Sequence, residues 1–150
     1  MSKKKFRVYL DNCCFNRPYD NQDDIKIKIE SLAKLFVQDA IKNKQIDLIW
    51  SYILKYENDQ NPYLDKQIAI EKWEELSVSS IVENDEILKN AEFIFSLGLK
   101  SIDSLHIACA ISGKCDYFLT TDRGILKKSE LINNIILINP IEFVSILEEL

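Results

Sequence analysis

Asp11, Glu57, Asp103 and Asp122 stand where this chain passes from one kind of segment to another. Asp11 and Asp122 close apolar runs with strand character. Glu57 falls on the apolar side of a helical pattern, and Asp103 belongs to the opening turn of another helix. Each alone has a plain structural explanation. Asp forms turns after strands, Asp103 suits a helix dipole, and the stem of Glu57 can cross apolar surface or its carboxylate can pair with a lysine. Together they say more. Two carboxylates about 4 Å apart repel by roughly 4 kcal/mol at an effective dielectric near 20, so a cluster of four stays ionised only when cations neutralise it. All-oxygen ligation suits Mg²⁺ or Mn²⁺. Such ions activate water and stabilise a phosphate during in-line displacement.

Other groups nearby have two readings each. His106 lies one helical turn after Asp103. It is either a ligand or proton carrier, or a satisfied core or rim histidine, and the second reading is favoured. Arg17 and Arg123 follow Asp11 and Asp122 closely and are candidates for holding substrate phosphates, although arginine is ordinary near loops. Thr120 and Thr121 are either hydroxyl donors to a ligand or water, or β-branched strand filler.

The elements that must position these groups follow from periodicity. Phe6 to Leu10 reads as a strand stopping at Asp11, and residues 12–24 read as a polar loop containing Pro18. Residues 25–43 form an amphipathic helix whose buried stripe is expected to be Ile25, Ile29, Leu32, Ala33, Phe36, Val37, Ala40 and Ile41. Ile46 to Trp50 is a second strand, after which Ser51 caps a helix from Tyr52 to Asn58. Asn61 and Pro62 read as cap and first residue of a helix to Leu76. Val78 to Val82 is a short strand, and Asn84 or Asp85 caps a helix to Leu97, with Gly98 as its stop. Ser101 is expected to cap a helix to Ser112 that is apolar nearly all round and therefore central. Tyr117 to Thr120 and Ile135 to Ile138 are further strands, and Asn139-Pro140-x-Glu142 opens the last helix. Strands alternating with helices predict a mostly parallel sheet covered on both faces, and sites in such sheets form beyond the strands' carboxyl ends.

The 150 residues suit one domain spanning 1–150, and 47% hydrophobic content with three Gly and three Pro describes a globular chain. No apolar run approaches a membrane span, and the basic start leads into a strand rather than a signal peptide. Cys13, Cys14, Cys109 and Cys115 form no Cys-x-x-Cys pair, which reads as buried thiols in a reducing cytoplasm. With one histidine, a zinc site is not expected. A net charge of −5 argues against a broad basic grip on nucleic acid, but not against local binding through a metal and a few cations.

Four segments carry a resemblance: V-Y-L-D-N-C-C-F-N-R-P at Val8 to Pro18, S-Y-I-L-K-Y-E at Ser51 to Glu57, S-I-D-S-L-H-I-A-C-A at Ser101 to Ala110, and Y-F-L-T-T-D at Tyr117 to Asp122. In this order and spacing, with a closing Asn139-Pro140 helix, the chain resembles the PIN domain, a family of metal-dependent ribonucleases. The resemblance implies a three-layer α/β/α sandwich and an acidic quartet at Asp11, Glu57, Asp103 and Asp122. It also implies Mg²⁺ or Mn²⁺ and hydrolysis of RNA by activated water. Many members are toxins paired with an antitoxin protein, and many form homodimers. On this reading Asp11, Asp103 and Asp122 bind the first ion, while Glu57 shares it or orients a second ion or the attacking water. The chain departs from the family pattern where a small hydroxyl residue often follows the first Asp; here Asn12, Cys13 and Cys14 stand there. No acid-rich run follows Asp122, leaving Glu30, Asp20 or Asp24 as candidates for a fifth carboxylate. Two other readings compete. One is a PIN-like module that binds RNA or a partner without turnover. The other is an aspartyl phosphatase, which usually wants an Asp where Cys13 stands.

Overall fold

Five short runs, four of them mainly apolar, pair side by side, all in the same direction. The computed structural model describes residues 5–15 and 24–149. The strands are β1 (Arg7–Leu10), β2 (Asp47–Ser51), β3 (Ser79–Ile81), β4 (Tyr117–Leu119) and β5 (Ile136–Ile138). Their order across the sheet is β3-β2-β1-β4-β5, with every pairing parallel. The helices are α1 (Ile25–Lys42), α2 (Tyr52–Asp59), α3 (Leu64–Leu76), α4 (Asp85–Ser96), α5 (Ser101–Ser112), α6 (Arg123–Leu126) and α7 (Pro140–Glu148).

This order fixes the layers. The chain moves one way from β1 to β2 and the other way from β3 to β4, and right-handed crossovers then put α1 and the α4–α5 pair on opposite faces. α1 packs with α7, and α4 packs with α5. The expected three-layer α/β/α sandwich is the observed architecture. The central strands β1, β2 and β4 are buried on both faces, as a parallel sheet requires, with Val8, Tyr9, Leu10, Leu48, Ile49, Phe118 and Leu119 fully enclosed, whereas the edge strands β3 and β5 are partly open. α5 is the covered helix its composition implies, with Ser104 and His106 through Ala110 all buried.

Four local expectations need correction. The helix expected at Pro62 begins at Leu64, because Asn61 Oδ1 instead accepts from Tyr63 N at 3.1 Å and closes a turn of its own. Ser101 is the first helical residue of α5 rather than its cap; Lys100 takes the cap position, and no side chain caps there. Residues 12–14 are not plain loop but one turn of 3₁₀-helix, and Asp24, read as loop, caps α1 through Lys26 N and Ile27 N. The α1 stripe splits: Ala33, Val37, Ala40 and Ile41 are buried, whereas Ile25, Ile29, Leu32 and Phe36 are exposed. Helical spacing identifies an apolar face, but not what covers it. Arg17, Pro18 and Asp20 lie outside the described residues.

Candidate metal centre

β1 neighbours β4, and from there the connections run outward in opposite directions, so the carboxyl ends of β1 and β4 flank the switch point where open α/β sheets form sites. Leu10 pairs with Leu119, and Asp11 N continues the ladder to Leu119 O at 2.9 Å. Asp11 is thus held in line with β1 although the strand has ended. Its Oδ1 accepts from Asn12 N at 2.8 Å. Its Oδ2 accepts from Thr120 Oγ1 at 2.7 Å. The same Thr120 oxygen accepts from Asp122 N at 3.0 Å. A fully buried hydroxyl therefore ties the two strand ends together. Asp122 then caps α6, its Oδ1 accepting from Gly124 N at 2.7 Å and Ile125 N at 3.4 Å.

α2 follows β2 without a loop. Ser51 Oγ caps it by accepting from Leu54 N at 3.2 Å, as expected. Ile53, Leu54 and Asn58 face inward. Glu57 lies beside them, its side chain 28% exposed, and it pairs with a histidine rather than a lysine: His106 Nε2 donates to Glu57 Oε1. Asp103 and His106 are three residues apart on α5 and so share a side of it. One ligand atom each from Asp11, Glu57 and His106 can be chosen so that all lie within 4.8 Å of one another. Asp103 and Asp122 are not in that tight group.

They are nevertheless close enough to be felt. Burial pushes the Asp103 carboxyl up to about 6, the charges of Asp11 and Asp122 add to the rise, and His106 and Lys100 oppose it. Asp11 is raised too, chiefly by burial, against His106 and the hydrogen bonds from Thr120 and Asn12; the Glu57 charge adds to the rise. Among the described residues, the Asp103 carboxylate has no hydrogen bond or ion pair, and no Lys or Arg pairs with Asp11, Glu57 or Asp122. Clustered, largely buried carboxylate oxygens with no Lys or Arg bonded to them among the described residues are a donor set that suits a hard divalent ion. The residues fit such an ion.

The remaining candidates separate. Arg123 is exposed at the start of α6, and Arg17 is outside the described residues. Glu30 is committed elsewhere, its Oε2 accepting from Asn139 Nδ2 at 3.0 Å. Cys13 lies 3.9 Å from both Asp11 Oδ2 and Cys14 Sγ, and takes a hydrogen bond from Thr121 Oγ1 at 3.4 Å. Its thiol is lowered to about 7, chiefly by the Cys14 thiol, against burial and the Asp11 charge. Little in the sequence ties Tyr9 to this site. Its only signal was strand alternation, which puts residues two apart, such as Tyr9 and Asp11, on one face.

No family model matches this sequence, and no curated protein does. Solved structures do match. VapBC2 from Rickettsia felis, bound to a DNA fragment from the promoter, aligns with a TM-score of 0.54 at 14% identity, covering 89% of this chain and 98% of that one. FitAcB from Neisseria gonorrhoeae aligns with a TM-score of 0.58 at 14% identity, covering 89% and 97%. At this identity the likeness is one of fold. Over most of its length, then, the chain has the PIN-like α/β/α architecture.

Proposed function

We propose that this protein is a metal-dependent endoribonuclease. The observation that carries the proposal is geometric: Asp11, Glu57 and His106 each offer a ligand atom within 4.8 Å of one another, and Asp103, on the same side of α5 as His106, has no protein cation bonded to it among the described residues. Asp11, Asp103 and Asp122 would hold a Mg²⁺ or Mn²⁺ ion, with Glu57 sharing it or orienting the attacking water. The ion, when bound, supplies an activated water and charge stabilisation at the phosphate. The chain's own residues do the rest. Thr120 fixes the Asp11 carboxylate, and Arg123 and Arg17 are the candidates to hold RNA phosphates. Four free cysteines support a reducing, cytoplasmic setting. Among the described residues no helix is long and apolar enough to cross a membrane.

A partner is part of this reading. Two of the structural neighbours are VapBC2 and FitAcB. Here Ile25, Ile29, Leu32 and Phe36 form an exposed stripe along α1, the kind of surface an antitoxin chain or a second copy would cover.

The test is RNA cleavage in the presence of Mg²⁺ or Mn²⁺. Asp11→Asn and Asp103→Asn are each expected to lower the rate by at least 10²-fold, the scale of a lost electrostatic stabiliser. Undiminished cleavage by both variants would sink the assignment. Intact RNA binding without Mn²⁺ uptake would instead support a binding module without turnover.

A further inference from the structure

His106 is fully buried, and both of its ring nitrogens are used. Nε2 meets Glu57 Oε1, and Nδ1 lies 2.5 Å from Tyr9 Oη. Tyr9 Oη is in turn 2.6 Å from Ser51 Oγ, which accepts from Leu54 N. Tyr9, Ser51 and His106 are all shielded from water. The Tyr9 ring stacks on Phe118 at 5.3 Å and meets His106 edge-on at 5.6 Å, which fixes its direction.

Hydrogen counting orients this chain. A carboxylate only accepts, so Nε2 must carry a hydrogen toward Glu57. In the neutral ring Nδ1 is then an acceptor. Tyr9 spends its one hydroxyl hydrogen on Nδ1, and Ser51 donates to Tyr9. If the ring is an imidazolium, Nδ1 donates to Tyr9 and Tyr9 donates to Ser51. Both arrangements keep Nε2–H on Glu57. The remaining tautomer would point an Nε2 lone pair at the carboxylate, and no hydrogen bond would form.

We propose that His106 is a positioning residue for Glu57, not a metal ligand: Nε2–H holds Oε1, Tyr9 and Ser51 hold the ring from behind, and Oε2 is left for the cation. Among the described residues Oε2 has no hydrogen-bond partner, as this requires. The inference rests on the nuclease reading above. It also assigns a task to a chain of buried hydroxyls that the cation chemistry does not otherwise use.

His106 is the chain's one histidine, so its imidazole signals need no assignment in long-range ¹H–¹⁵N NMR of the full chain. Nε2 is expected to be protonated without metal and to keep its proton at saturating Mg²⁺. Loss of that proton on adding Mg²⁺, or a ring protonated at Nδ1 alone, overturns the proposal. Calorimetry with Mn²⁺ gives the second reading. His106→Ala is expected to weaken Mn²⁺ binding by about 10-fold or more, the scale for removing a group that orients a ligand. His106→Gln, whose amide N–H can still reach Glu57, is expected to stay close to wild type. Tyr9→Phe leaves the ring in place, frees Nδ1 and should weaken binding in the same direction, so the idea survives a His106→Ala variant that fails to fold. Wild-type affinity in both His106→Ala and Tyr9→Phe overturns the positioning role alone. A wild-type protein that takes up no Mn²⁺ overturns the cation reading and this proposal with it.

Discussion

At the residue scale, the four acids are unequal partners. Asp11 is held by two donors and cannot swing away, whereas the Asp103 carboxylate has no bonded partner among the described residues and stands up at about 6. A folded-state value above the ordinary carboxylate value of 3.8 means that the folded metal-free protein holds this proton more tightly than the unfolded chain does. The contribution of Asp103 to stability is therefore full below about pH 4 and is lost as pH rises toward 6. Asp103→Asn is expected to raise the melting temperature of the metal-free protein at pH 8 relative to wild type, and to abolish its response to Mn²⁺. Wild-type affinity for Mn²⁺ is expected to fall as pH drops below about 6, where the proton competes for Asp103; calorimetry between pH 5 and 8 measures it. Thr120 gives a separate test. Thr120→Val keeps the shape but removes a donor to Asp11 and an acceptor for Asp122 N. Chemical denaturation should report a loss of about 1–3 kcal/mol.

At the element scale, α5 carries both Asp103 and His106, so its seating on the sheet governs the site. Its C-terminal end is pinned at Gly113, where a Cβ would come within 2.9 Å of Ile49 Cγ2 and 3.3 Å of Ile81 Cδ1. Those atoms belong to β2 and β3, and Ile49 is fully buried. The glycine is required there for closeness, not for backbone freedom, since its φ is −78°. Gly113→Ala is expected to cost about 1–3 kcal/mol, as overpacking does, measured by urea midpoint. β1 positions the site in a different way. Tyr9 and Asp11 sit two residues apart, one reaching His106 and the other Thr120.

At the scale of the whole molecule, a bound ion would couple the separate elements, because Asp11 follows β1, Glu57 lies in α2, Asp103 in α5 and Asp122 between β4 and α6. Such a ligand stabilises the folded state by mass action, about 2.7 kcal/mol at 100 times its dissociation constant. For a chain of this size that corresponds to roughly 5–10 °C in melting temperature. Differential scanning fluorimetry with Mn²⁺ should show this shift in wild type and not in Asp11→Asn. The exposed stripe on α1 belongs to this scale as well. Its spacing is that of a buried seam, yet four of its residues face outward.

The sequence by itself determined the alternation of strands and helices and the covered nature of α5, and it singled out four carboxylates at segment boundaries as candidates for a cation site. Those properties depend on local periodicity and on side-chain charge, both of which can be read along the chain. It did not determine that Thr120 serves Asp11, 109 residues away, or that His106 is locked between Glu57 and Tyr9, the latter 97 residues away. Nor did it separate the buried half of the α1 stripe from the exposed half. Those facts arise where β1 and β4 become neighbours and α5 crosses behind them. Only the tertiary structure decides which polar atoms meet in a space without water, and there each donor must find its acceptor.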